Sequence, residues 1–156
     1  MNLLAAIIII FLTCAVSVLG SAFTGPEIQT WYAQLNLPSW TPPGGTIGIV
    51  WTIIFILTAM SAILVWNRAQ QYKYISWIGF LFFLNGILNV FWSFLFFNQH
   101  AIGLSVIEML ILNASTIALI FLIVPVNRFA AMLLFPYVAW VSFATYLAYS
   151  VWKLNG

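Results

Sequence analysis

Charge is nearly absent from this chain of 156 residues: Asp, Glu, Lys and Arg together make up 4% of it, and aspartate does not occur. A soluble domain carries about 25% charged residues. With 65% of its residues hydrophobic, a soluble domain would have no surface to offer water, so that class is excluded. The net charge of +2 is too small and too scattered for a nucleic-acid partner. The single cysteine, Cys14, permits no disulfide within the chain and no cysteine metal site. There is one histidine, and the two glutamates, Glu27 and Glu108, are far apart. No nucleophile has a base nearby in sequence, no metal-ligand spacing occurs, and Gly44-Gly45 follow prolines without the lysine of a phosphate-binding loop. A conventional enzyme, a metal site and an obligatory cofactor are therefore not expected. No internal repeat is visible.

What the chain does have is long apolar runs. A helix needs about 20 apolar residues to cross a bilayer. Five stretches qualify: Leu3–Phe23, Thr46–Trp66, Tyr74–Phe97, Ala101–Val124 and Phe129–Trp152. None holds Lys, Arg or Asp, and only the fourth holds Glu. Barrel strands alternate polar and apolar residues and are about half as long. The first run has no basic residue before it and exceeds the apolar part of a signal peptide, so it reads as a helix. The expected fold is one all-α membrane domain over residues 1–156, a bundle of five transmembrane helices.

Most connections are short: Arg68–Lys73, Asn98–His100 and Pro125–Arg128. Such links force antiparallel neighbours. The exception is Thr24–Gly45, which holds Trp31, Tyr32, Pro38, Trp40, Pro42, Pro43, Gly44 and Gly45. Prolines stiffen it and aromatics give it something to pack with. The expectation is an ordered lid, with a short helix around Pro26–Leu35. Arg68, Lys73 and Arg128 fall on the side of the N-terminus, and Lys153 on the other. The positive-inside rule then puts the N-terminus in the cytoplasm, and the C-terminus and long loop outside.

Inside the helices, Asn85, Asn89 and Ser93 recur every four residues and share one face. They serve either interhelical hydrogen bonding or the polar wall of a cavity. Glu108 lies about two turns into the fourth helix. An ionised acid there costs roughly 2.5–3.5 kcal/mol, so it is expected to be protonated or bonded to a polar neighbour such as an Asn. Pro136 should kink the fifth helix by freeing the carbonyl of Met132. Trp66, Trp77 and Trp152 suit the membrane interface. Trp51, Trp92 and Trp140 lie deeper, and either fill a core or line a pocket for something flat.

The segment WYAQLNLPSWTPPGGTIGIVWTIIF, Trp31–Phe55, closely resembles the TspO/MBR family, the tryptophan-rich sensory proteins that include the mitochondrial translocator protein, or peripheral benzodiazepine receptor. LNGILNVFWSFLFF (Leu84–Phe97) and PYVAWVSFATYLAYSVW (Pro136–Trp152) resemble two further blocks of it, in order and spacing along nearly the whole chain. The resemblance implies a bacterial member with a five-helix bundle in the cell membrane. It implies binding of porphyrins, protoporphyrin IX above all, and of benzodiazepine-type drugs, in a pocket closed by the first loop. The matching positions are Tyr32, Trp51 and Phe55 on the loop and second helix, Asn89 and Trp92 on the third, and Trp140, Ala144 and Leu147 on the fifth. Light- and oxygen-dependent breakdown of protoporphyrin IX, reported for relatives, would involve Trp51 and Trp140. Transport of small molecules or sterols ranks third. Leu147–Lys153 fits a loose sterol pattern that many membrane helices match by chance. A homodimer through the third helix is also implied, where Gly79 and Gly86 lie on one face.

Overall fold

The computed structural model describes residues 3–68 and 71–156. The expected link Arg68–Lys73 thus lies partly outside the described residues. Among them five segments are long and apolar enough to cross a membrane. They are α1 (Leu3–Ile28), α2 (Gly44–Arg68), α3 (Ile75–Ser93) with a π-helical turn (Phe94–Asn98), α4 (Ile102–Ile123), and a fifth span made of α5 (Arg128–Met132) and α6 (Phe135–Asn155). A helix satisfies every backbone group within itself, which an apolar solvent demands.

The end of the first helix differs from the sequence reading, for a reason of proline chemistry. α1 runs through Pro26 to Ile28. Pro26 removes only the N–H that would reach Ala22, a small loss in a last turn. Thr30 Oγ1 then lies 3.1 Å from the Pro26 carbonyl and 3.2 Å from the Glu27 carboxylate, and donates to one or the other. The short helix expected over Pro26–Leu35 is therefore one 3₁₀ turn, Tyr32–Gln34. In the fifth span the expected kink is present as a tightened turn between α5 and α6, with Leu133 and Leu134 both still right-handed helical. Pro136 cannot bond the Met132 carbonyl, the chain turns at Leu133–Leu134, and Leu134 N donates to Ala131 O at 3.1 Å. Asn127 restarts the helix, its Oδ1 accepting from Phe129 N at 3.1 Å and Ala130 N at 3.3 Å. Ser61 Oγ ties α2 to this piece by donating to Ala130 O at 2.8 Å.

α4 is the central helix and packs on both α3 and α6. A hydrogen-bonded cluster joins the three. Asn85 Nδ2 lies 2.9 Å from both Ser115 Oγ and Thr116 Oγ1, Tyr137 OH donates to Asn85 Oδ1 at 2.8 Å, and Asn89 Nδ2 donates to Tyr137 OH at 3.0 Å. All five side chains are buried. α1 is the outer helix, with only Ala6 and Gly20 buried. It meets α3 through small residues: a Cβ on Gly20 would lie 3.4 Å from Ser93 Oγ, and one on Gly86 would lie 3.0 Å from Val16 Cγ2. Gly86 thus serves packing within the chain. The outward face of α3 carries Trp77, Phe80 and Phe83 instead.

Two outcomes follow for stability. Asn85→Ala removes three contacts worth about 0.6 kcal/mol each in membrane bundles, and leaves the Tyr137 hydroxyl without its acceptor. Thermal unfolding in detergent is expected to show a loss of roughly 1–3 kcal/mol; wild-type stability would count against the cluster as the tie between α3, α4 and α6. Gly86→Leu is expected to lower stability by prising α1 from α3, so any loss of self-association in that variant reports on the monomer first.

Candidate functional site

The first loop is ordered by aromatic contacts at both of its ends. The Trp31 indole stacks on the His100 imidazole, with 4.0 Å between centroids and 12° between planes. His100 Nε2 lies 3.5 Å from Glu27 Oε2. His100 has a positive φ of 53°, which lets the three-residue link after the π-helical turn fold back beneath the loop. Trp40 stacks on Tyr146 at 5.4 Å and meets Phe143 edge-on at 5.9 Å. Between these anchors, Asn36 N–H donates to Asn155 Oδ1 at 2.8 Å and Asn155 Nδ2 donates back to Asn36 O at 3.0 Å. Each aromatic pair contributes about 0.5–1.5 kcal/mol beyond its buried area. The loop is therefore a fixed cover, as its composition implied.

Beneath it is a cavity of about 670 Å³, within the size range of small-molecule sites. Tyr32 closes it from the 3₁₀ turn. Trp51 and Phe55 reach it from α2, Asn89 and Trp92 from α3, and Trp140, Ala144 and Leu147 from α6. All eight residues singled out in the sequence thus lie around one space. The spacing explains the α6 wall: 140, 144, 147, 148 and 151 fall on one helical face. The π-helical turn supplies Phe96 and Phe97, both buried, at 4.9 Å from each other. These two, with Phe143, went unnoticed in the sequence as wall residues. The run FLFF was the signal, but a π-helical turn shifts the register that ordinary helical spacing assumes.

Few polar atoms reach the cavity, and two indole N–H groups of its wall residues are buried out of contact with it. Trp92 Nε1 and Trp140 Nε1 are buried with no hydrogen-bond partner. An indole N–H is donor only, and buried donors are rarely left unpaired. Trp92 stacks on Phe96 at 5.4 Å, and Trp140 leans on Phe143 at 5.3 Å. Trp51 packs edge-on against Tyr137 at 6.0 Å, which seats it on the buried cluster. Asn89 commits one amide hydrogen to Tyr137. Burial of Tyr32 raises its phenol above the ordinary value, so it stays a neutral hydrogen-bonding group at physiological pH.

Glu108 is not in this wall. It is 4% exposed, and both carboxyl oxygens lack a hydrogen-bond partner among the described residues. The expected bond to an Asn is not formed, because Asn85 pairs with Ser115 and Thr116, roughly two turns further along α4. A second, larger groove of about 770 Å³ runs along α1 toward its N-terminus, against α2 and α3, and shares Val16, Phe55 and Asn89 with the cavity. Its walls are almost wholly apolar and it has no cover. The smaller, lidded cavity, into which the predicted residues converge, is the candidate site.

A five-span helical membrane protein with a covered, tryptophan-lined cavity is the class that this geometry defines. Residues 7–153 match the TspO/MBR family. The chain is 36% identical over 151 residues to the tryptophan-rich protein TspO of Bacillus cereus, covering 97% of each. It is 33% identical over 138 residues to the translocator protein of Homo sapiens, covering 87% of this chain and 81% of that one. Protein CrtK of Rhodobacter capsulatus is 31% identical over 146 residues, covering 93% and 89%. The chain belongs to the TspO/MBR family and is a multi-pass integral membrane protein.

The stack of Trp31 on His100 is expected to hold the cover down. In Trp31→Ala, proteolysis and amide exchange over residues 29–43 should speed up with the helical spans unchanged. Exchange as slow as in the parent would show that the Asn36–Asn155 bonds suffice.

Proposed function

We propose that this protein is a membrane receptor for porphyrins such as protoporphyrin IX and for other flat, apolar ligands. The observation that carries the reading is the convergence of Trp51, Trp92 and Trp140, with Tyr32 and Phe55, from three elements and the loop onto one covered cavity. Trp51, Trp92 and Trp140 offer ring area to a planar macrocycle, and Asn89 sets an amide on the same wall for a polar edge. The resemblance of the loop and of the α3 and α6 motifs supports the same ligand class. Membership of the family supports a bacterial cell membrane, and the basic residues support a cytoplasmic N-terminus. Self-association through the outward face of α3 belongs to the same reading.

Light-dependent breakdown of the bound porphyrin is the second reading. Trp51 and Trp140 line the same cavity, and electron exchange between indole and an excited macrocycle needs no acid–base pair. Illuminating the complex in air and following porphyrin absorbance separates the two. Decay no faster than for free porphyrin in detergent leaves binding alone.

Titration of protoporphyrin IX into the purified protein is expected to quench tryptophan fluorescence to saturation. Trp51→Phe and Trp140→Phe should each weaken binding by roughly three- to ten-fold, the equivalent of one good ring contact. Binding like the parent's in both variants would remove the site assignment.

A further inference from the structure

Glycines in this fold fall into two kinds. Gly20, Gly86 and Gly103 each have a neighbour so close that a Cβ would touch it: Ser93, Val16 and the Trp152 ring. Gly25 and Gly79, and the group Gly44, Gly45 and Gly48, have nothing within 4 Å of where a Cβ would stand, and the last three lie together at the start of α2. No described glycine has a positive φ either. Neither close packing nor backbone conformation accounts for these three. Gly48 lies inside α2, where glycine costs roughly 0.5–1 kcal/mol relative to alanine.

All three line the candidate cavity. On the same wall, Ile49 and Ile53 also line it while being 64% and 49% exposed. A residue that borders the cavity and the bilayer at once marks an opening. From α1 the cavity is lined by Val16, Ser17, Gly20, Ser21, Thr24 and Ile28, of which only Val16 and Ile28 carry branched aliphatic side chains. The top of the cavity is different, being closed by the Trp31–His100 stack, the Trp40–Tyr146 stack and the paired hydrogen bonds of Asn36 and Asn155.

We propose that the seam between α1 and α2, kept free of side chains by Gly44, Gly45 and Gly48, is a lateral portal. The ligand reaches the cavity through it from the leaflet on the lid side, and the loop stays down. This rests on the reading of the cavity as the ligand site. Gly48 is four residues into α2, about 6 Å along it, so the portal opens in the outer part of the apolar layer. A flat apolar molecule with a polar rim concentrates at that depth. α1 suits one side of such a seam, because it is the least buried of the spans.

The test is stopped-flow quenching by protoporphyrin IX of the full chain in lipid nanodiscs, with Gly48→Ala and Gly48→Leu beside the parent. Nothing stands where the new Cβ would go, so both variants are expected to fold, as helicity and melting temperature will report. Gly48→Leu should slow association and dissociation together, each by about ten-fold, with the ratio held within about three-fold, and Gly48→Ala should fall between. Trp31→Ala, which loosens the lid, should leave both rates within about two-fold of the parent. Unchanged rates in Gly48→Leu, or weaker binding without slower dissociation, overturn the portal. Faster association in Trp31→Ala does so as well, by showing that ligand passes under the lid. A parent that binds no porphyrin overturns the site reading itself, which the equilibrium amplitude shows separately.

Discussion

Buried polar side chains in a bilayer have no water to fall back on, and one cluster of them organises this molecule. Asn85, Asn89, Ser115, Thr116 and Tyr137 satisfy one another across α3, α4 and α6. A hydrocarbon solvent gives apolar helices little reason to prefer one another over lipid. Hydrogen bonds with defined partners supply both the preference and the register. The cluster thereby fixes the positions of Trp92, one turn beyond Asn89, and of Trp140, one turn beyond Tyr137. Trp51 rests on the Tyr137 ring. The aromatic walls are rigid because the polar atoms behind them are.

The other two helices are held less firmly. α1 touches α3 through Gly20 and Gly86 and buries little else. α2 is tied to α5 by Ser61 and opens toward α1 at its glycine-rich start. The bundle therefore has a fixed side and a loose side, with the cavity between them. The loop spans the top and is anchored on the fixed side, at Phe96, His100 and Tyr146. α2, α3 and α6 supply the aromatic walls, α4 backs α3 and α6, and α1 closes the lipid side.

Much of this was legible in the sequence. Five apolar runs of sufficient length, with almost no charge, specify the spans without any motif. The four-residue spacing of Asn85, Asn89 and Ser93 placed them on one face, and all three are buried. Cavity residues were legible from the family motifs, where Trp51, Trp92 and Trp140 stand apart from the tryptophans at span ends. What failed was local. Pro26 reads as a helix start, but a proline in a last turn costs one bond and the helix ran on. The π-helical turn at Phe94–Asn98 has no sequence signature, which hid Phe96 and Phe97. Glu108 was expected to be protonated or bonded to a polar neighbour such as an Asn; it bonds to none among the described residues, because depth along α4 decides which polar groups meet.

The central claim is that the space beneath the loop is a ligand site rather than an imperfectly filled core. A density map of the protein with protoporphyrin IX bound tests it most directly. The macrocycle is expected between α2, α3 and α6, against the Trp51, Trp92 and Trp140 rings. A macrocycle seated along α1 in the apolar groove, with the three tryptophans packed as they are without it, would contradict the account.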